Sequence, residues 1–266
     1  MDFGMPTLIE LDSIEKCAAL AHELGLRFVE INTSFPQYQL DVLDIEELIR
    51  IKEKYGIYYT VHADESFDAC NVNGKIAKVY VQDMLNTVEL AKILDIPSIN
   101  MHLLRGIFVT LPDRRTYIYG ENETLYLERL RSLRDRVQAA VGEADIHINV
   151  ENTDGYDCPF LVHGLDTLLE SPVFGMTYDV GHNNAIGMRD NAVILPREDR
   201  LRHFHLHDGV GTRVHLALGD GDMDIESFLS LAEKHSCRVV IETKTVEALK
   251  KSVGYLREKN KGCRPE

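Results

Sequence analysis

A single (β/α)8 TIM barrel spanning residues 1–266 is the fold class that the sequence predicts, on three observations. β-rich runs alternate with helical runs, eight such strands fit within 266 residues, and no G-x-G-x-x-G loop follows an early strand. Alternation implies parallel βαβ units, and eight of them in about 250 residues is the size of such a barrel. A doubly wound open sheet, the competing arrangement, would need the glycine-rich phosphate loop.

The elements follow in order from "DFGMPTL", the first strand. From Asp12, "DSIEKCAALAHELG" opens like an Asp-x-x-Glu capping box, sets Ile14, Cys17, Ala18, Ala21 and Leu24 at helical spacing, and stops at Gly25. "LRFVEINTS" is the second strand. "DIEELIRIKEKYG" is a helix ending at Gly56 before the strand "IYYTVHA"; "AKVYVQDMLNTVELAKILD" precedes "PSINMHL", and "ETLYLERLRSLRDRVQAAVG" precedes "IHINVEN". Short helices then separate "FGMTYDVG", "LRHFHLHD" and "CRVVIET", and a last helix begins near Thr245.

Composition narrows the function classes. A 44% hydrophobic content is ample for one core, and no secretory leader or apolar run of spanning length is present, so a cytoplasmic protein is expected. Cys17, Cys70, Cys158, Cys237 and Cys263 are scattered and never form C-x-x-C, as expected of thiols in a reducing compartment. With 29 basic against 43 acidic residues the formal charge is −14, which repels polyanions and disfavours nucleic acid as a partner. A homo-oligomer is compatible with the sequence.

Side chains alternate faces along a strand, so each strand can be read for its apolar face. Val29 and Ile31, Tyr59 and Val61, Ile99 and Met101, Ile148 and Val150, Met176 and Tyr178, Phe204 and Leu206, and Val239 and Ile241 form one face. Helices cover the outside of a barrel, so these residues point outward and the others inward. Near the strands' carboxyl ends the inward set is Glu30, His62, His102, Glu151, Asp179, His205 and Glu242, where barrel enzymes keep their active sites. Any one of them is most simply a polar residue closing a strand. Together they crowd carboxylates that only protons or a cation can neutralise, and carboxylates interleaved with imidazoles suit Zn²⁺, Mn²⁺ or Co²⁺. His182, just beyond Asp179 in "YDVGH", faces the same mouth.

The pieces "VHAD", "NMHL", "NVENT", "YDVGH", "FHLHD", "HLALGDGDMD" and "VIET", in that order, resemble the xylose-isomerase-like barrel superfamily of sugar isomerases, sugar epimerases and apurinic-site endonucleases. The epimerase branch implies one metal on Glu151, Asp179, His205 and Glu242, with the two glutamates moving protons. The endonuclease branch implies another ion on His62 and His102 with Glu151 bridging. It also implies a third on His182 and an Asp-x-His pair, which here reads "RVH", Arg213 and His215. That departure removes a carboxylate ligand, so one or two ions per chain are expected and not three.

Two chemistries compete. Isomerisation or epimerisation of a small carbohydrate through an enediolate needs a metal and a carboxylate acid/base pair, roles that Glu151 and Glu242 fit. Phosphodiester hydrolysis needs clustered metals, and the retained His62 and His102 keep that alternative open. A catalytically silent binding barrel is a distant third. In the long segment "RGIFVTLPDRRTYIYGEN", Arg114 and Arg115 could hold a phosphate or carboxylate of the substrate, against the plainer reading of a solvated loop. His207, Asp208, His215 and Glu30 are further candidates for contact with substrate.

Overall fold

The computed structural model describes residues 1–153 and 155–262, the side chains of 260–262 excepted. Cys263 lies outside the described residues. Eight parallel strands close into a barrel: β1 (Asp2–Pro6), β2 (Phe28–Asn32), β3 (Tyr58–His62), β4 (Ser98–His102), β5 (His147–Glu151), β6 (Phe174–Asp179), β7 (Leu201–Leu206) and β8 (Arg238–Ile241). Each pairs with its chain neighbours, and β1 closes the ring against β8 through Asp2↔Arg238 and Phe3↔Val239. This is the expected (β/α)8 barrel.

The outward face is apolar and covered. Val29, Ile31, Tyr59, Val61, Ile99, Ile148, Val150, Met176 and Val239 are fully buried beneath the helices. Each such side chain contributes about 1.5–3 kcal/mol relative to exposure. Cys17, Cys70, Cys158 and Cys237 are buried as well. Among the described residues no helix is long and apolar enough to cross a membrane.

Local signals set most helix ends. Asp44 caps Ile45–Tyr55 by accepting the Glu47 N–H at 3.1 Å, and Gly56 ends that helix in the left-handed region at φ 63°. The first helix, Ile14–Glu23, starts one residue later than the Asp-x-x-Glu pattern implies. Ser13 is the cap, its hydroxyl accepting the Lys16 N–H at 3.3 Å, while Asp12 forms an ion pair with the Lys16 ammonium. The segment after β4 is not an irregular loop. Phe108–Thr110 and Arg115–Tyr117 form an antiparallel hairpin, for which the β-branched and aromatic residues around "LPDR" were the available signal.

Candidate metal centre at the barrel mouth

Strand register sorts the inward side chains into layers. At the bottom Phe28 fills the space that Gly4 leaves; a Cβ at Gly4 would stand 2.4 Å from the Phe28 ring. The next layer is polar and sealed: Glu30, Thr60, Asn100, Asn149, Thr177 and His203 are all buried. Above it lie His62, His102, Glu151, Asp179, His205 and Glu242, six of the seven expected residues. Glu30 is the exception. Register pairs it with Thr60 and puts Asn32 beside His62, so Glu30 sits one level below the mouth, 2% exposed. Its expected contact with substrate is therefore not what the geometry favours. Barrel strands are staggered, and the carboxylate of β2 falls lower than its place in the strand suggested.

The upper layer is tightly knit. Glu151 Oε2 lies 3.2 Å from His62 Nε2, 3.4 Å from His102 Nε2 and 3.1 Å from His205 Nδ1. Glu242 Oε2 is 3.5 Å from that same His205 nitrogen, and Asp179, His205 and Glu242 each offer an atom within 4.8 Å of the others. Asp179 both closes a strand and faces the site. Its Oδ1 accepts the His182 N–H at 2.7 Å, capping Val180–Ala185, while Oδ2 is buried without a hydrogen bond. Asn152 pins the strand end by accepting the Asp179 N–H at 2.8 Å and donating to the Asp179 carbonyl at 2.9 Å.

Charge accounts for why these groups sit together. Burial alone would push the Glu151 carboxyl up, yet the surrounding His205 and His102 rings hold it well below the usual range. Burial likewise opposes a charge on His62, but the Glu151 carboxylate outweighs it and raises the imidazole to about 9. Asp179 is held down by His207 and His182 against the same burial penalty. The imidazoles thus offset the carboxylates from the positions where a cation would. Asp179 Oδ2, Glu242 Oε2, His205 Nδ1 and His102 Nε2 are buried with no hydrogen-bond partner, which is the donor set a divalent ion satisfies. The residues present fit the expected metal.

The remaining expected residues divide. His182 and His215 meet at the mouth, Nε2 to Nε2 at 3.5 Å, and His215 takes the left-handed region at φ 58°, which is strained for a non-glycine residue. His207 lies against both, with ring centroids 4.2 Å from His215 and 5.9 Å from His182. Its Nδ1 accepts the His215 N–H at 2.8 Å and lies 3.3 Å from the Asp208 carbonyl, while Nε2 faces Asp179 Oδ1 at 3.2 Å without an aligned hydrogen bond. His182, His207 and His215 offer three nitrogens within 4.8 Å of one another. Arg114 pairs with Asp113 and Arg115 stacks over Phe108, both on the exposed hairpin; no described contact joins them to the cluster.

Asp208 has a structural post: its carboxylate accepts the N–H groups of Gly209 at 2.9 Å, Gly219 at 2.9 Å and Met223 at 3.2 Å. Asp208→Ala strands three of these donors, so a loss of about 3 kcal/mol or more in unfolding free energy is expected from urea denaturation. A change below about 1 kcal/mol would show that water satisfies the three amides and that the carboxylate is not needed to hold the loop.

Sequence reasoning missed Lys244, whose ammonium holds Glu242 Oε1 at 2.7 Å and leaves Oε2 turned to His205. No periodicity flags a lysine two residues past the last strand position. A cleft of about 620 Å³ outside the barrel, lined by Leu40, Ile45, Phe67, Tyr80 and Met84, contains none of the mouth histidines or glutamates.

Carboxylates and imidazoles converging at the carboxyl ends of strands β3 to β8 define a barrel-mouth centre whose donor set suits a divalent metal. The chain belongs to the xylose isomerase-like TIM barrel family, which residues 18–259 match. It is 31% identical over 150 residues to the uncharacterized protein y4fM of Sinorhizobium fredii, of whose length that match spans 45%. Among solved structures it is similar to a D-tagatose 3-epimerase-like protein, with 21% identity, TM-score 0.78 and coverage of 98% of this chain and 97% of that one. A 3-keto-D-glucoside 4-epimerase from E. coli gives 14% identity and TM-score 0.75 over 97% and 99% of the two chains. A probable 3-DHS dehydratase from Bacillus anthracis gives 13% and 0.72, again over 97% and 99%. At these identities the likeness establishes the fold.

Proposed function

We propose that this protein is a divalent-metal-dependent isomerase or epimerase of a sugar or sugar phosphate. The observation that carries it is the pair of glutamates on one histidine nitrogen: Oε2 of Glu151 and Oε2 of Glu242 lie 3.1 and 3.5 Å from His205 Nδ1. Moving a proton between two carbons, or between two faces of one carbon, needs a base and an acid close to the same carbon. Glu151 and Glu242 fill those roles, and Lys244 leaves one oxygen of Glu242 available for the proton. Glu151, Asp179, His205 and Glu242 would hold Zn²⁺, Mn²⁺ or Co²⁺, and the ion would supply positive charge to stabilise the enediolate oxygens. Epimerases among the structural relatives agree with this reading.

The test is incubation of metal-loaded protein with a ketose panel in deuterated water, followed by NMR. Incorporation of deuterium at carbon is expected. No exchange in any sugar, combined with cleavage of bis(p-nitrophenyl) phosphate, would sink the proposal. A phosphodiester hydrolase of the apurinic-site endonuclease type is the second reading, favoured by His62 and His102 on Glu151 Oε2.

If the substrate is anionic and reaches the hairpin, replacing Arg114 and Arg115 together with alanine raises KM about 10-fold, as loss of charge-assisted contacts would. Metal content stays unchanged, because neither arginine touches the cluster. Equal kinetics in variant and parent return both residues to the solvated surface.

A further inference from the structure

Beneath the mouth, the sealed polar layer is built around one carboxylate. Glu30 Oε2 accepts from the Thr60 hydroxyl at 3.1 Å and from the Asn100 amide, and lies 3.1 Å from His203 Nε2; Glu30 Oε1 lies 2.9 Å from His205 Nε2. The Asn100 carbonyl in turn accepts the Thr177 hydroxyl at 2.5 Å, which fixes its amide toward Glu30. His205 is thus suspended between two carboxylates, Nε2 over Glu30 and Nδ1 under Glu151, and neither contact is aligned as a hydrogen bond.

Taking the four-ligand cation site proposed above as given, we infer that Glu30 is a positioning residue: its carboxylate charge 2.9 Å below Nε2 favours the His205 tautomer protonated there and so leaves the Nδ1 lone pair for the ion. The choice of nitrogen follows from the surroundings. On the upper side Glu151, Asp179 and Glu242 bring carboxylate oxygens, two of them with buried atoms lacking hydrogen bonds. On the lower side Glu30, His203 and His205 also offer atoms within 4.8 Å of one another, but there the Thr60 hydroxyl and the Asn100 amide already donate to Glu30 Oε2, and a cation would have to compete with them for it. A carboxylate behind a ligating imidazole fixes its tautomer and strengthens it as a ligand, and losing such a partner costs about 10–100-fold in metal affinity. Only a carboxylate accepts on both oxygens; an amide at this position would turn an NH₂ group against the other donors.

The experiment compares wild type, Glu30→Gln and His203→Gln, stripped of metal and titrated with Co²⁺ against a chelating indicator. The visible Co²⁺ spectrum is recorded at saturation. His203→Gln disturbs the same buried layer through Glu30 Oε2 and not through the Oε1 that faces His205. The expected result is a 10–100-fold weaker affinity and an altered spectrum for Glu30→Gln, against less than about threefold and an unchanged spectrum for His203→Gln. Glu30→Gln matching wild type in both, or the two variants weakening alike, overturns the positioning role. Should Glu30→Gln fail to fold, ¹⁵N NMR of Zn²⁺-loaded wild type decides instead. Protonated Nε2 with metal on Nδ1 of His205 is required, and metal on Nε2 overturns the inference. Wild type that takes up no Co²⁺ or Zn²⁺ overturns the cation site itself, a different outcome from a variant that binds as well as its parent.

Discussion

Glu151→Gln is expected to slow carbon-bound proton exchange by about 10²–10⁴-fold, the usual contribution of a positioned general acid or base, with far less effect on folding. The amide keeps the shape of the side chain and an oxygen able to coordinate weakly, but it cannot take a proton. The site makes the loss specific to that atom. Glu151 Oε2 is the meeting point of His62, His102 and His205, all within 3.4 Å, whereas Glu242 Oε2 lies 3.5 Å from His205 Nδ1. Turnover is measured at saturating metal with bound metal quantified in parallel, so that a chemical defect is separated from a vacant site. If the variant keeps wild-type exchange when fully loaded, Glu151 is a ligand alone and Glu242 must do both proton transfers.

Removal of metal with a chelator is expected to abolish turnover, and readdition of Zn²⁺, Mn²⁺ or Co²⁺ to restore it. The crowded carboxylates at the mouth would otherwise have only histidine protons to balance them. Elemental analysis after dialysis, checked by anomalous scattering, should find one or two ions per chain and not three. Glu151, Asp179, His205 and Glu242 provide for one, and His62 and His102 with a bridging Glu151 provide for a weaker second. A third would have the imidazoles of His182, His207 and His215 and no carboxylate of its own to offset its charge. Arg213 is exposed and a guanidinium cannot ligate, and His207 Nδ1 already accepts the His215 N–H. Three fully occupied sites would mean that imidazoles alone suffice there, and would move phosphodiester hydrolysis ahead of isomerisation.

Which residues face the barrel axis was legible in the sequence, because the two-residue alternation of a strand is a property of its own backbone. Ile148 and Val150 against Glu151, or Met176 and Tyr178 against Asp179, could be sorted without a partner strand, and six of the seven inward residues reached the mouth. Most helix ends were legible to within a residue for the same local reason, but the helix Gly74–Leu94 starts three residues before the Ala77 that opens its apolar run, because Asn73 caps it. Ser13 took the first cap in place of Asp12 because either residue can accept the amide, and only the backbone decides between them. What each inward residue does depended on tertiary structure. Glu30 looked like a mouth residue, and Asp208 and His207 like rim residues. Interstrand register lowered Glu30 beneath His205, and loop closure turned Asp208 toward three backbone amides and His207 toward the His215 N–H. A strand carries its own facing, but its depth along the barrel axis is set by the stagger of all eight strands around a closed ring, and no single stretch of sequence encodes that stagger.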